Sequence, residues 1–244
     1  LKDVRQRNGP HCTVGLMMDF LCLPQKPFTT DAERARFGEL LHSINEWYFH
    51  PCTRVLVVST PAPGGAKYTN TRLHEARGWC YFEKCAAMAV KDDTCLWDVA
   101  GLADLPDGRQ GHFNSMMFAM KAKREPPLSP DTMAEDLRSA VASGTRAFTA
   151  NADVALVIEQ YARGFVKAFS NVKTQCPGLN CLFYKHFNWD DEQGRTMLEA
   201  IKYAVQHGEF PDGDLDICCM DGNNFSEEMK ATFELDEYDG RVQE

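Results

Sequence analysis

The segment Arg54-Val55-Leu56-Val57-Val58-Ser59 constrains the fold more than any other part of this sequence. Its four central residues are apolar, three of them are β-branched, and no polar residue alternates with them. A strand of this composition is typical of a parallel sheet that is covered on both faces. Because parallel strands are joined by long crossovers, usually helices, the segment predicts an α/β fold.

Strand and helix patterns alternate along much of the chain. Before the Val55 segment, Thr30 to Glu33 fits a capping box, and apolar residues from Phe37 to Tyr48 recur at three- and four-residue steps, which predicts a helix. Further strands are expected at 14–21, 95–99, 181–187 and 215–220, with helices at 151–169, at 190–206 and after Ser226. The pattern predicts a largely parallel sheet, whose sites lie at the carboxyl ends of its strands.

A proline-rich segment divides the chain into two predicted units. Residues 125–130 (EPPLSP) are the strongest linker candidate, and Ser129 as N-cap with Pro130 at the first helical position opens a helix. We therefore expect an α/β core over residues 1–124. Residues 125–244 are then an α/β or mostly helical extension, either a separate module or an element packed on the same sheet.

Charge and hydropathy exclude several classes of partner. The formal net charge is −9, which argues against nonspecific binding to DNA or RNA because such binding needs a basic face. No apolar run is long enough to span a bilayer, and no basic-then-apolar leader marks the chain for secretion. We expect neither a nucleic acid nor a membrane as partner.

The ten cysteines are spread over the chain and lie mostly in apolar runs. None of them forms a CxxC pair, so we expect no metal site. Reduced, buried thiols are the ordinary interpretation of such a distribution, and they predict a cytoplasmic protein.

One helix places a carboxylate beside the largest apolar side chain. Trp79 and Glu83 are four residues apart, so they are neighbours on one helical face. One interpretation places both side chains at the mouth of a cleft, with the indole as a wall. The other places Trp79 in the core and Glu83 at its rim, where the nearby helix N-terminus stabilises negative charge.

The context of this helix resembles a known superfamily. Residues 18–25 (MDFLCLPQ) are followed by the capped helix, the Val55 strand and then residues 77–83 (RGWCYFE). This order is similar to that of the Toll/interleukin-receptor (TIR) superfamily, most of all to its branch related to fungal heterokaryon-incompatibility (HET) domains. The resemblance covers about residues 12–100 and implies a flavodoxin-like parallel-sheet core, although the first strand of that fold is not evident before Val14.

The resemblance also implies a reaction. Enzymatic members of the superfamily cleave the nicotinamide–ribose bond of NAD, and their catalytic glutamate corresponds to Glu83. NAD is then a substrate and no cofactor is required. The carboxylate would stabilise the oxocarbenium character that develops on the ribose. Trp79 would form a wall of the substrate pocket. The basic residues Lys67, Arg72 and Arg77 are candidate phosphate ligands. Two further substrate-binding candidates are Gln25 in the gating loop and Asp19 in the strand before that loop.

A second class of function fits the same fold. Many relatives are signalling adaptors that associate with themselves or with protein partners, and in such a module Glu83 is structural. The basic residues before the helix are then solvated surface charges, and residues 22–28 are a plain proline-bounded connection. The sequence leaves the enzyme and the interaction module both open.

Overall fold

The computed structural model describes residues 15–18, 22–60, 71–91, 94–105, 113–172, 181–208, 216–219, 221–234 and 242–243, and the structural account concerns these residues. They form a mixed α/β arrangement that is mostly helical. The helices are α1 (Asp31–Phe49), α2 (Gly78–Val90), α3 (Phe113–Met120), α4 (Pro130–Ala142), α5 (Asp153–Ser170), α6 (Asp191–His207) and α7 (Glu227–Glu234), and the strands are β1 (Val55–Val57), β2 (Leu96–Asp98), β3 (Cys181–Phe183), β4 (Asp216–Cys218) and β5 (Val242–Gln243). Two 3-10 segments, His74–Ala76 and Val99–Asp104, precede α2 and follow β2.

The first sheet pairs β1 with β2 in parallel, as the Val55 segment predicts, and Val57 lies opposite Asp98. Its two faces are covered to different degrees. Val57 packs against Ala87 and Met88 of α2. On the other face Leu56 is 50% exposed, whereas Trp97 of β2, which lies opposite Leu56, is buried. The described residues therefore leave this face of β1 partly exposed, which departs from the expected cover on both faces.

The second sheet is also parallel, in the order β3-β4-β5. Two of its strands lie within the predicted segments 181–187 and 215–220. The predicted strand at 14–21 is not confirmed where it is described, since residues 15–18 have no regular structure and Leu16 is 73% exposed. An apolar run becomes a strand only when a neighbouring strand satisfies its backbone groups, and neither described sheet includes these four residues.

A single aromatic core joins the two halves of the chain. Tyr161 of α5 lies at the centre, with its ring centroid 5.4 Å from that of Phe49 and 6.4 Å from that of Phe82. The core continues to Phe165 of α5 and to Ile217 of β4. Burial of such side chains contributes about 1.5–3 kcal/mol each, so the residues on either side of position 124 stabilise one another.

The predicted linker at 125–130 is part of this packing. Pro126 and Pro127 are buried, and the hydroxyl of Tyr161 donates to the carbonyl of Leu128 at 2.9 Å. The indole N–H of Trp189 donates to the carbonyl of Arg124 at 3.0 Å. The segment is therefore a packed connection, because its proline rings supply apolar surface to the core.

Local capping signals are confirmed. Thr30 and Glu33 form the reciprocal capping box of α1, and the Ser129 hydroxyl accepts from the backbone N–H of Thr132 at 3.2 Å at the start of α4. Asp190 caps α6, which ends at His207, one residue beyond the predicted 190–206. These contacts satisfy backbone N–H groups that the first turn of a helix leaves free.

The cysteines depart in part from the expected reduced state. Cys52 is disulfide-bonded, whereas Cys22, Cys80, Cys85, Cys95, Cys181 and Cys219 are reduced thiols. A stable disulfide is typical of oxidising compartments, so Cys52 does not fit the expectation of thiols throughout.

In the described part of the chain, no helix has both the length and the apolarity that crossing a membrane requires.

Candidate functional site

A cavity of about 640 Å³, termed the edge cavity, lies at the carboxyl ends of β1 and β2. Ser59 follows β1 and Asp98 ends β2, and the Ser59 hydroxyl donates to Oδ2 of Asp98 at 2.6 Å. The backbone N–H of Ala100 donates to the other oxygen, Oδ1, at 3.0 Å. The carboxyl edge of a parallel sheet is where open α/β folds bind ligands. The other lining residues are Leu73, His74, Glu75, Ala76, Asp136, Ser139, Ala140, Ser143, Thr145 and Arg146.

A second cavity of about 450 Å³, termed the α2 cavity, shares His74, Glu75 and Arg146 with the edge cavity. It lies between α2, residues 125–128 and the start of α6. Each of the two volumes falls in the range of small-molecule sites. The three shared residues therefore stand at the junction of two neighbouring hollows.

His74 is half-buried at this junction. Burial and, to a lesser extent, the positive charge of Lys84 hold the pKa of His74 below its ordinary value, and they outweigh the opposing effects of Asp98 and Glu75. The imidazole is therefore neutral at neutral pH, and one of its ring nitrogens is a proton acceptor.

An ion pair lies beside His74. Nζ of Lys84 donates to Oε1 of Glu75 at 2.8 Å. This hydrogen bond, followed by the charge of Lys84, lowers the pKa of Glu75. The Glu75 side chain is 72% exposed, so the pair contributes little to stability, about 0–1 kcal/mol. It does place one positive charge on the α2 side of the junction.

A second cluster joins α2, α4 and the residues after α4. Nη1 of Arg146 donates to Oδ2 of Asp136 at 3.0 Å, and the Arg146 guanidinium carbon lies 3.5 Å from the centroid of the Tyr81 ring. The Tyr81 hydroxyl also donates to Asp136. Burial is the first cause that raises the pKa of Tyr81, and burial raises the pKa of Cys85 to about 12. Both groups therefore keep their protons at neutral pH.

The described residues that line the edge cavity carry more negative than positive charge. Glu75, Asp98 and Asp136 are among them, and Arg146 is their one Lys or Arg. Such a lining favours sugar hydroxyls and positive charge over an unscreened phosphate.

The structure places Trp79 within the packing. Its indole N–H donates to Oδ2 of Asp153 at 3.0 Å. Its ring meets those of Phe82 and Phe148 edge-on, at centroid distances of 6.0 and 6.3 Å. Trp79 lines neither cavity, and its contacts match the structural interpretation of this residue.

Glu83 is half-buried on α2, one turn after Trp79. Like Trp79, it lines neither the edge cavity nor the α2 cavity. The assignment of Glu83 as the catalytic carboxylate stays a prediction.

The other predicted binding residues make local contacts or lie outside the description. Nε of Arg77 donates to the carbonyl of Arg72 at 2.9 Å, and the exposed Gln25 amide donates to the carbonyl of Leu23 at 3.1 Å. None of the three predicted residues Gln25, Arg72 and Arg77 lines either cavity. Asp19 and Lys67 lie outside the described residues.

Sequence reasoning missed the residues that do line the edge cavity. The sequence could have identified Asp98, because this residue lies in the predicted strand at 95–99 and functional sites lie at the carboxyl ends of parallel strands. His74, Asp136 and Arg146 come from a short 3-10 turn, a helix and a loop, and no local pattern relates these three positions.

The described residues contain no group of three or more His, Cys, Asp and Glu side chains arranged to hold a metal ion. Comparison of the chain with protein-family models, with curated proteins and with solved structures found no match.

Proposed function

We propose that this chain is a TIR-like domain that hydrolyses the N-glycosidic bond of NAD or a related nucleotide, with the ribose bound in the edge cavity. One observation carries the proposal: a cavity of small-molecule size lies at the carboxyl ends of two parallel strands, and the helix that bears Trp79 and Glu83 connects those strands. The flavodoxin-like core is part of the proposal. The described parallel pairs β1–β2 and β3–β4–β5 support it.

The reaction needs a carboxylate near the ribose. When the bond between C1′ and the nicotinamide nitrogen breaks, positive charge develops on the sugar, and an adjacent carboxylate stabilises that charge. The resemblance assigns this role to Glu83, although Glu83 does not line the edge cavity. The edge cavity itself offers Asp98, whose two oxygens are fixed by Ser59 and by the N–H of Ala100.

The test is release of nicotinamide from NAD by the purified chain. We compare the wild type with Glu83→Gln and Asp98→Asn. Glu46→Gln is the matched control, because Glu46 is exposed, pairs with Lys167 at 2.6 Å and lines neither cavity. Loss of an electrostatic partner of the transition state costs about 10²–10³ in rate, so we expect a loss of that size in at least one site variant. Equal release from all four proteins, or none from the wild type, contradicts the proposal.

The alternative is a non-catalytic interaction module of the same fold, and the exposed face of the first sheet favours it. Leu56 and Val58 are 50% and 62% exposed. They stand on the face of β1 opposite the buried Val57. A self-associating module predicts a molar mass that rises with concentration in light scattering and a return to monomer with Leu56→Lys. A chain that stays monomeric at every concentration removes the self-association form of this alternative.

The cytoplasmic location is likewise a proposal. The reduced thiols support it, and the disulfide of Cys52 stands against it.

A further inference from the structure

We propose that His74 is the base that takes a proton from the attacking water in the edge cavity. This inference rests on the proposed hydrolase function and adds a catalytic residue that the Trp-x-x-x-Glu pattern does not contain. It also restricts the substrate to one chemical class, the N-ribosyl pyridinium compounds, of which NAD is a member.

The position of His74 carries the inference. It lines both the edge cavity and the α2 cavity, and among the described residues that line either one it is the only histidine. The 3-10 turn His74–Ala76 is held at its end, because the carbonyl of Ala76 accepts from the N–H of Ala147 at 3.1 Å. The imidazole is therefore presented to the cavity by a fixed segment of backbone.

The surrounding charges suit a base. His74 interacts with Glu75 and Arg77 on its own segment, with Lys84 of α2 and with Asp98 of β2. Asp136 of α4 and Arg146 line the same edge cavity. Burial and Lys84 keep the resting imidazole neutral, whereas Asp98 favours its protonated form. A base of this kind is ready to accept a proton at neutral pH and has a fixed carboxylate nearby to stabilise the resulting imidazolium.

The bond changes balance without any further reactant. The water oxygen forms a bond to C1′ while the bond between C1′ and the pyridinium nitrogen breaks. The electron pair of the broken bond neutralises the positive ring, so the base leaves as a neutral molecule and needs no proton. The proton of the water passes to His74. Leaving groups that need protonation are disfavoured, because the Tyr81 hydroxyl is engaged with Asp136 and Cys85 is buried.

Water and a pyridine nucleophile make different demands on a base, and this difference provides the test. A pyridine such as 3-acetylpyridine attacks C1′ through its nitrogen lone pair and has no proton to lose. Wild type incubated with NAD and 3-acetylpyridine therefore yields two rates, hydrolysis and base exchange. With His74→Gln or His74→Asn we expect hydrolysis to fall by about 10² or more, while exchange stays near the wild-type rate.

The control is His207→Gln, which changes a histidine in the last turn of α6 that lines neither cavity. Both of its rates should match the wild type. The acid limb of the wild-type pH profile for hydrolysis, where imidazolium forms, should be missing in the His74 variants.

The outcomes separate this inference from the proposed function. If both His74 variants lose hydrolysis and exchange equally, His74 has a positioning or structural role and the inference is overturned. Unchanged hydrolysis in these variants also overturns the inference. Wild type that neither hydrolyses nor exchanges NAD contradicts the proposed function, and the inference falls with it.

Discussion

The two interpretations of Trp79 predict different consequences of the substitution Trp79→Phe. The indole N–H donates at 3.0 Å to the carboxylate of Asp153, the first residue of α5. A hydrogen bond to a charged acceptor contributes about 1.5–3 kcal/mol, and partial exposure reduces this to about 1–2 kcal/mol. The smaller ring also loses part of its edge contact with Phe148, about 0.5 kcal/mol. We therefore expect Trp79→Phe to lower the free energy of unfolding by about 1.5–2.5 kcal/mol.

The assay is urea unfolding, followed by circular dichroism. With a slope of about 2–3 kcal/mol per M, the midpoint should fall by about 0.5–1 M. A double-mutant cycle with Asp153→Ala isolates the hydrogen bond, because the two single changes remove the same contact and should not add. If Trp79→Phe leaves the urea midpoint unchanged and raises the KM for NAD, the structural interpretation is refuted. The indole is then a wall of the substrate pocket.

Two further predictions concern stability. A Cβ at Gly78 would lie 2.2 Å from the Phe148 ring, whereas one at Gly38 of α1 meets nothing within 4 Å. Gly78→Ala should therefore destabilise the fold by about 1–3 kcal/mol. Gly38→Ala should stabilise it by about 0.5–1 kcal/mol. Equal thermal unfolding midpoints for the two variants contradict the packing of Phe148 against α2. The pKa of Glu75 is lowered in the folded state. Its pairing with Lys84 therefore stabilises the folded state at pH values above the ordinary glutamate pKa. This stabilisation is lost as the pH falls through the pKa of Glu75 in the folded state. Wild type should exceed Glu75→Gln in stability by under about 1 kcal/mol at pH 7, and a difference that grows towards pH 3 in urea titrations contradicts this sign.

Local features of the fold were predictable from local sequence. The capping boxes at Thr30 and Asp190 and the N-cap at Ser129 depend on side chains within three residues of the groups they satisfy. The parallel pairing of β1 followed from an apolar, β-branched segment placed between helices. In these cases the residues that decide the structure are neighbours in the chain.

Features that depend on distant partners were not predictable in this way. The Val55 segment has the composition of a doubly covered strand, yet the described residues leave Leu56 half exposed, because cover depends on where helices pack. Residues 125–130 have the composition of a linker, yet Pro126 and Pro127 are buried, because Tyr161 and Trp189 bond to the backbone beside them.

The candidate site shows the same division. The sequence identified the helix with Trp79 and Glu83 and predicted that sites lie at the carboxyl ends of strands. It did not identify His74, Asp136 or Arg146, which meet around the edge cavity from separate elements. Their grouping depends on the backbone contact between the turn before α2 and Ala147, which follows α4, and no spacing along the chain encodes that contact.

The central claim is that a ribosyl pyridinium bond is broken in the edge cavity, and proton NMR of NAD mixed with the purified chain observes that bond directly. The account predicts that the H1′ signal of the nicotinamide ribose disappears as free nicotinamide appears, at a rate that Asp98→Asn or Glu83→Gln lowers by about 10² or more. A spectrum of NAD that stays unchanged at high protein concentration contradicts the account and leaves the interaction module in its place.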